Sequence, residues 1–507
     1  MKQIKHIVIT LAVLTLAACA SPATTTATRV DDGPSRQGLA AHPRDLKFAD
    51  RQIGIPDAAQ YRHRLNNGNV AYIVPDHSLP LVVINIRSRA GKYLLNAEDA
   101  GLAALTASMM RDGGTHALSA EDLDEKLEFL ATTVSVSIGD TSASARMNSL
   151  SNHLDESLGL LFDVIAEPRF DSARLQIKKN QFIEAMKRRN DDTRTIEQRV
   201  YDELRFGPDS YRSYQATEAQ IRAIDAQRMQ AFAARVFASP NLVISVHGDV
   251  EPAAIVAALN REISRLDQGL ELPAIPTTAR PIAAGLYGVN KNDVTQTRVR
   301  MFHPGPRRGD PQEFAIKVMN DILGGGGFTS RITRRIRGDE GLAYSAGSAY
   351  QLGLYYPGIY VVYFQSKNPS VPEASKIALE EIARIQTEPV SEQELNTARQ
   401  AVISTLNERY SKAARKAAAF AADDLQGTPA DYWSDYEKNT LAVSIAAVQK
   451  AAKDHLHVGE LRILLTGKLS EARKGDGEHG SIEAVTGLKM QQIPLKDPLT
   501  LEPLPLD

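Results

Sequence analysis

Residues Leu242 to Gly248 read LVISVHG, and residues Leu461 to Gly467 read LRILLTG. Each is a run of apolar side chains closed by a glycine, the pattern of a buried strand that stops at a corner. The two runs lie 219 residues apart, and a second pair of landmarks, Glu167-Pro168 and Glu388-Pro389, lies 221 residues apart. Two independent offsets agreeing within two residues predict a duplicated unit of about 200 residues.

The order of elements around these landmarks agrees. In the first half, Val70 to Val74 and Leu81 to Arg87 read as strands, and Ala100 to Met110 reads as a buried helix. Ala131 to Asn148 alternates like a strand or hairpin, and Leu154 to Ile165 and Ser172 to Arg189 carry helical spacing. The second half repeats the order. Thr297 to Phe302 is a strand and Pro311 to Leu323 a helix. Ala343 to Tyr350 and Gly358 to Phe364 are paired strands, and Pro372 to Gln386 and Ser391 to Tyr410 are helices. The predicted fold is α+β: two tandem homologous domains, each a mostly antiparallel sheet packed with helices. Their expected spans are 56–267 and 285–470, joined by a linker at 268–284 that holds Pro273, Pro276 and Pro281, with a tail at 471–507.

Composition narrows the function. The chain has 507 residues, long enough for more than one domain. Lys and Arg number 59 against 61 Asp and Glu, a net charge of −2, which argues against nucleic-acid binding through bulk positive charge. The single cysteine excludes an internal disulfide framework, a Cys-ligated zinc and an iron–sulfur cluster. None of the 11 His residues forms a His-x-x-x-His pair; His455 and His457 read as helix-end surface residues. No Gly-x-Ser-x-Gly elbow is present, and the glycines of 324–327 lack the Gly-Lys-[Ser/Thr] of a phosphate loop.

The cysteine stands at an informative place. Lys2 and Lys5 precede an apolar run from Ile7 to Ala18, which ends Leu16-Ala17-Ala18-Cys19. This resembles the bacterial lipoprotein signal, which implies a signal peptide over 1–18, lipidation of Cys19 and a flexible tether over 19–55. Ala20 and Ser21 follow without an Asp, which by the same resemblance favours the outer membrane. The alternative is a cleaved secretory peptide with an incidental cysteine.

A tandem α+β repeat in this order resembles the insulinase/pitrilysin family of zinc metallopeptidases, over roughly residues 56 to 470. In that family the early helix carries His-x-x-Glu-His, two ligands and a general base on one face, with a third ligand, a Glu, after a spacer of about 76 residues. The corresponding helix here reads Gly101-Leu102-Ala103-Ala104-Leu105-Thr106-Ala107-Ser108-Met109-Met110. Laid position on position, Ala104 and Ser108 replace the two His, Ala107 the Glu, and Ala185 the third ligand. The resemblance therefore implies no zinc in this chain. A second family feature is present. Gly324 to Ser330 leads into Arg331 to Arg337 and then Gly341-Leu342-Ala343-Tyr344-Ser345. Arg337 and Tyr344 match the family's Arg and Tyr, which bind substrate and support the transition state from the repeat without metal. Arg331, Arg334 and Arg335, at i, i+3 and i+4, read as a solvated basic helix face.

Taken together, the resemblance implies half of a clamshell: the zinc-free subunit of a periplasmic heterodimeric peptidase, inactive alone, its zinc-bearing partner carrying an intact His-x-x-Glu-His. The alternatives are a structural homologue, like the core subunits of mitochondrial respiratory complexes, and a lipid-anchored chamber that binds peptides without cutting them.

Overall fold

The computed structural model describes residue 42 and residues 54–239, 241–266 and 271–506. Cys19, the signal segment and nearly all of the expected tether lie outside the described residues. Two six-stranded sheets carry the chain. The first is built from β1 (Arg62–Arg64), β2 (Val70–Pro75), β3 (Leu81–Ser88), β4 (Thr133–Ile138), β5 (Ala143–Leu150) and β6 (Leu242–Gly248), in the order β1-β2-β6-β3-β5-β4. The second is built from β7 (Gly285–Asn290), β8 (Gln296–Gly305), β9 (Ala343–Gln351), β10 (Gly358–Lys367), β11 (Arg462–Gly467) and β12 (Met490–Gln492), in the order β12-β7-β11-β8-β10-β9.

From β2 and β7 onward the two orders correspond strand for strand. β2 and β6 are parallel, as are β7 and β11, and the remaining shared pairs are antiparallel. This is the duplication that the offsets predict. The glycine that closes each landmark strand has a steric reason. A Cβ on Gly248, at φ +126°, would lie 2.0 Å from the Leu81 carbonyl oxygen; one on Gly467 would lie 2.2 Å from Thr297 Oγ1. In both sheets the strand end is pressed against the first residues of its antiparallel neighbour, where only glycine fits.

Five helices position the residues of interest: α1 (Leu102–Asp112), α2 (Ser172–Lys187), α3 (Thr193–Phe206), α4 (Glu392–Tyr410) and α5 (Ala413–Gln426). α3 and α5 are repeat equivalents, and each leaves its own half. α3 packs on β8 and β11 of the second sheet, where Ile196, Tyr201 and Leu204 join Tyr287, Val289, Phe302 and Leu464 in one buried cluster. The Tyr201 and Phe302 rings meet edge to face at 4.7 Å. α5 packs on β2 and β6 of the first sheet, with Phe420 against Tyr72 and stacked on Tyr61. Charge follows the same exchange. Glu197 of α3, 1% exposed, pairs with Arg298 at 3.0 Å and Arg300 at 2.9 Å on β8. Asp424 of α5 accepts from the Tyr72 hydroxyl at 3.0 Å. The described residues from 54 onward form one compact unit.

Residues 471–507, expected as a tail, are part of this unit as far as residue 506. β12 adds to the second sheet parallel to β7, and Ile482 is fully buried. The Pro498 carbonyl accepts from Arg189, and Lys496 pairs with Glu203 at 2.9 Å. The segment has little apolar periodicity because its backbone carbonyls and single charges, more than a hydrophobic face, tie it down.

Candidate functional site

The degenerate metal positions fall on α1 and α2, the two helices expected to carry them, and these helices pack together. Gly101 starts α1 in the left-handed region at φ +91°. Ala104 is exposed, Ala107 is buried and Ser108 is half-buried. The Ser108 hydroxyl donates to Asp112 Oδ2 at 3.3 Å, on its own helix. Ala185 is exposed on α2, and the neighbouring Glu184 is paired with Lys187 at 2.6 Å. Zinc does not fit here: the four side chains offer no imidazole or carboxylate, and the one hydroxyl is already engaged.

A different trio, Glu373, Asp476 and His479, brings its ligand atoms within 4.8 Å of one another. His479 Nδ1 lies 2.7 Å from Asp476 and Nε2 lies 3.4 Å from Glu373. The acids sit on opposite ring nitrogens, so they sandwich the imidazole instead of converging on one point. The hydrogen bond to Asp476 raises the His479 pKa, as expected for an ion-paired imidazolium. His455 is less of a surface residue than its helix-end position suggests. Its side chain is 13% exposed, and the His457 backbone N–H donates to the buried ring of His303 at 3.2 Å.

The second cluster is built on irregular backbone. The helix Glu313–Asn320 continues into a wide π-type turn, Asp321–Gly325, and Arg331–Thr333 continues into another, Arg334–Asp339. In each, a backbone N–H reaches five residues back: Gly326 to Asp321 at 2.8 Å, and Glu340 to Arg335 at 3.0 Å. The extra residue per turn changes which arginines share a face, and the expected solvated basic face is not what forms. Arg331 is buried and grips Glu394 of α4 in a bidentate pair, Nε donating to Oε1 at 2.7 Å and Nη2 to Oε2 at 3.1 Å. Arg335 is half-buried between Glu380 at 3.0 Å and Glu381 at 2.9 Å. Arg334 alone fits the expectation, exposed and 3.9 Å from Asp339. An i, i+3, i+4 rule assumes uniform α winding, and the winding changes within this segment.

Arg337 leaves the second wide turn and lies between two aromatic rings. Its guanidinium carbon is 4.4 Å from the ring centre of Phe328 and 4.4 Å from that of Tyr344. Tyr344, at the start of edge strand β9, is 83% exposed, and Phe328 is 69% exposed. Among the described residues no carboxylate pairs with Arg337. Stacking fixes the plane of the guanidinium and leaves its N–H edge free to bind; each such contact is worth about 0.5–1 kcal/mol at an exposed site. Phe328 is the residue that sequence reading missed. Its signal, a large aromatic directly after four glycines, has meaning only once the turn folds back over Arg337. Gly338 stands where the family has Glu, and a Cβ there meets nothing nearer than 3.9 Å, so this departure does not disturb the turn. Beside the stack lies a groove of about 510 Å³, lined by Asp321, Phe328, Thr329, Arg334 and Glu394 among others. Burial pushes the Asp321 carboxyl up to about 6.

Residues 223–402 match the family model described as the peptidase M16 inactive domain. Over these residues the chain is similar to the inactive domain of the M16, or insulinase, family. It is similar to the "Non-peptidase homolog YmxG" of Helicobacter pylori, 28% identical over 298 residues that cover 58% of this chain and 68% of that protein. Among solved structures, the peptidase M16 inactive domain from Pseudomonas fluorescens aligns with a TM-score of 0.71 at 22% identity, over 80% of this chain and 97% of that one. The periplasmic protease PqqL from Escherichia coli aligns with a TM-score of 0.68 at 17% identity, over 85% of this chain and 49% of that one. The matched segment resembles the inactive type, and outside it the side chains at 104, 107, 108 and 185 offer zinc no imidazole or carboxylate.

Proposed function

We propose that this chain is an M16-family protein, the zinc-free subunit of a lipid-anchored, heterodimeric peptidase in the cell envelope of a Gram-negative bacterium. Arg337 and Tyr344 serve the zinc site of a partner subunit with an intact His-x-x-Glu-His. The observation that carries this reading is the Phe328–Arg337–Tyr344 stack: a half-buried cation held between two exposed rings and, among the described residues, without a carboxylate of its own. A fixed guanidinium and a phenol beside it suit a peptide carbonyl oxygen on which negative charge develops, an effect worth roughly 3–4 kcal/mol per donor where it has been dissected. The envelope location rests on the sequence around Cys19. Among the described residues no helix is long and apolar enough to cross a membrane.

Co-purification from membranes tests the proposal. The expected result is a second insulinase-type chain with the intact motif, zinc in that chain only, and peptide hydrolysis by the pair. Cys19→Ser is expected to release the protein from the membrane fraction. Stoichiometric zinc in this chain, or an unlipidated N-terminus, overturns the corresponding part. The name of the Helicobacter relative favours a second reading, a structural or peptide-binding homologue. An assembly that forms but hydrolyses nothing supports that one.

A further inference from the structure

Beside Ala104, where the family's first zinc ligand would stand, lies a cavity of about 270 Å³. Leu95, Ala103, Phe182, Met186 and Ile221 give it an apolar wall, and two guanidiniums, Arg189 and Arg199, also line it. The charges there do not balance. Lys92 is paired with Asp140 at 2.7 Å and Asp99 with Arg228 at 2.5 Å. Arg189 and Arg199 have no carboxylate partner among the described residues. Their bonds go to neutral acceptors. Arg189 Nη1 donates to the carbonyls of Ala216 at 2.7 Å and Pro498 at 3.1 Å. Arg199 donates to the Arg189 carbonyl at 2.6 Å and to Asn190 Oδ1 at 2.7 Å. This leaves Nε and Nη2 of Arg189 and Nε of Arg199 without an acceptor among the described residues, and none of the three is sealed from solvent. Those N–H edges are open.

Two half-buried like charges held side by side are unfavourable without a counter-charge. Burial and the neighbouring Arg189 accordingly hold the Arg199 pKa down at about 10. We infer that the cavity binds the carboxylate of a ligand that carries an apolar group. The carboxylate bridges the open guanidinium edges, in the geometry that Arg forks favour. The apolar group fills the room that Ala104 leaves. Ligand pockets commonly run about 300–1,000 Å³, so this one suits a single residue or a short alkyl chain. Two sources share this chemistry: the C-terminus of a peptide with an apolar last residue, and a free fatty acid. The inference concerns this chain alone and does not depend on a zinc-bearing partner.

Isothermal titration of the full chain tests it with three probes: an acetylated tetrapeptide ending in a free-acid leucine, the same peptide as its C-terminal amide, and decanoate. The free-acid peptide is expected to bind at least tenfold more tightly than the amide. Arg189→Gln and Arg199→Gln are each expected to weaken it at least tenfold, and Arg194→Gln, exposed on α3, to leave it unchanged. Because both arginines also tie loops together, Ala104→Phe gives a second route. It fills the cavity without removing a bond and is expected to abolish binding while the melting temperature holds. Decanoate binding more tightly than the peptide supports the site and makes the free acid its ligand. Equal affinity for acid and amide, no binding of either acid, or free-acid binding that survives Ala104→Phe overturns the inference.

Discussion

Arg337 and Tyr344, seven positions apart in sequence, form a stack in which the guanidinium carbon lies 4.4 Å from the ring centre. Phe328 closes the other face at the same distance. The cation is thereby oriented by two rings and neutralised by neither.

In the reconstituted heterodimer, Arg337→Ala or Tyr344→Phe is expected to lower kcat/KM at least tenfold with folding and association intact; tenfold corresponds to about 1.4 kcal/mol of transition-state stabilisation. Arg337→Lys is expected to fall nearly as far, because an ammonium lacks the planar fork. Phe328→Ala frees the guanidinium on one side and is expected to cost less. Arg334→Ala is the control. Full activity in an Arg337→Ala, Tyr344→Phe double variant rejects the catalytic role.

The Arg331–Glu394 pair predicts a pH signature. Burial works against ionised Glu394, but the Arg331 fork and Ser391 outweigh it and hold the carboxyl at about 2. A depressed folded-state pKa gives stability that is present above the ordinary carboxylate value and is lost as pH falls toward about 2. Glu394→Gln is expected to cost about 2–3 kcal/mol at pH 7, because Arg331 stays buried without its partner. The gap between wild type and variant should close progressively below about pH 4.5. A gap independent of pH in urea melts contradicts the assignment.

Asp321 has the opposite sign. Its carboxyl is pushed up to about 6 by burial, so the folded state holds the proton more tightly than the unfolded one, and stability falls as pH rises between about 4 and 6. Asp321→Asn is expected to stabilise the chain by about 1–2 kcal/mol at pH 7.5 and to be neutral near pH 4. Thermal melts at the two pH values decide it; destabilisation at pH 7.5 shows that the ionised carboxylate is used.

Glu197 holds the exchanged helix to the opposite sheet. Glu197→Ala leaves Arg298 and Arg300 without their shared acid and is expected to cost about 3–5 kcal/mol, against a smaller loss for Glu197→Gln. Urea denaturation measures both. A near-neutral alanine variant shows that the apolar cluster of Ile196, Tyr201 and Leu204 suffices to hold α3 in place.

Much of the architecture is legible in the chain. LVISVHG and LRILLTG announce equivalent strands because a buried strand needs an unbroken apolar run, and because glycine is obligatory where the strand end meets Leu81 or Thr297. The helix expected over Ser391 to Tyr410 forms as Glu392–Tyr410, started by a local Ser391–Glu394 capping box. The substitutions at 104, 107, 108 and 185 exclude zinc ligation without any coordinates, since ligand chemistry resides in the side chain.

The rest depends on distance in sequence. That Glu394 also takes Arg331, 63 positions away, follows from the fold and from no local pattern. The exchange of α3 and α5 between the sheets is equally silent, because an amphipathic helix shows that it has an apolar face and not which sheet covers it. The wide turns after Asn320 and Thr333 likewise escape periodicity rules, which assume one winding throughout. Sequence alone determined the duplication, the loss of the metal ligands and the Arg337–Tyr344 spacing, all of them properties of residue type and order. Only the tertiary structure placed Phe328 over Arg337, buried Arg331 and left Arg189 and Arg199 lining a cavity with no carboxylate partner among the described residues, because burial and charge balance are set by residues brought together from far along the chain.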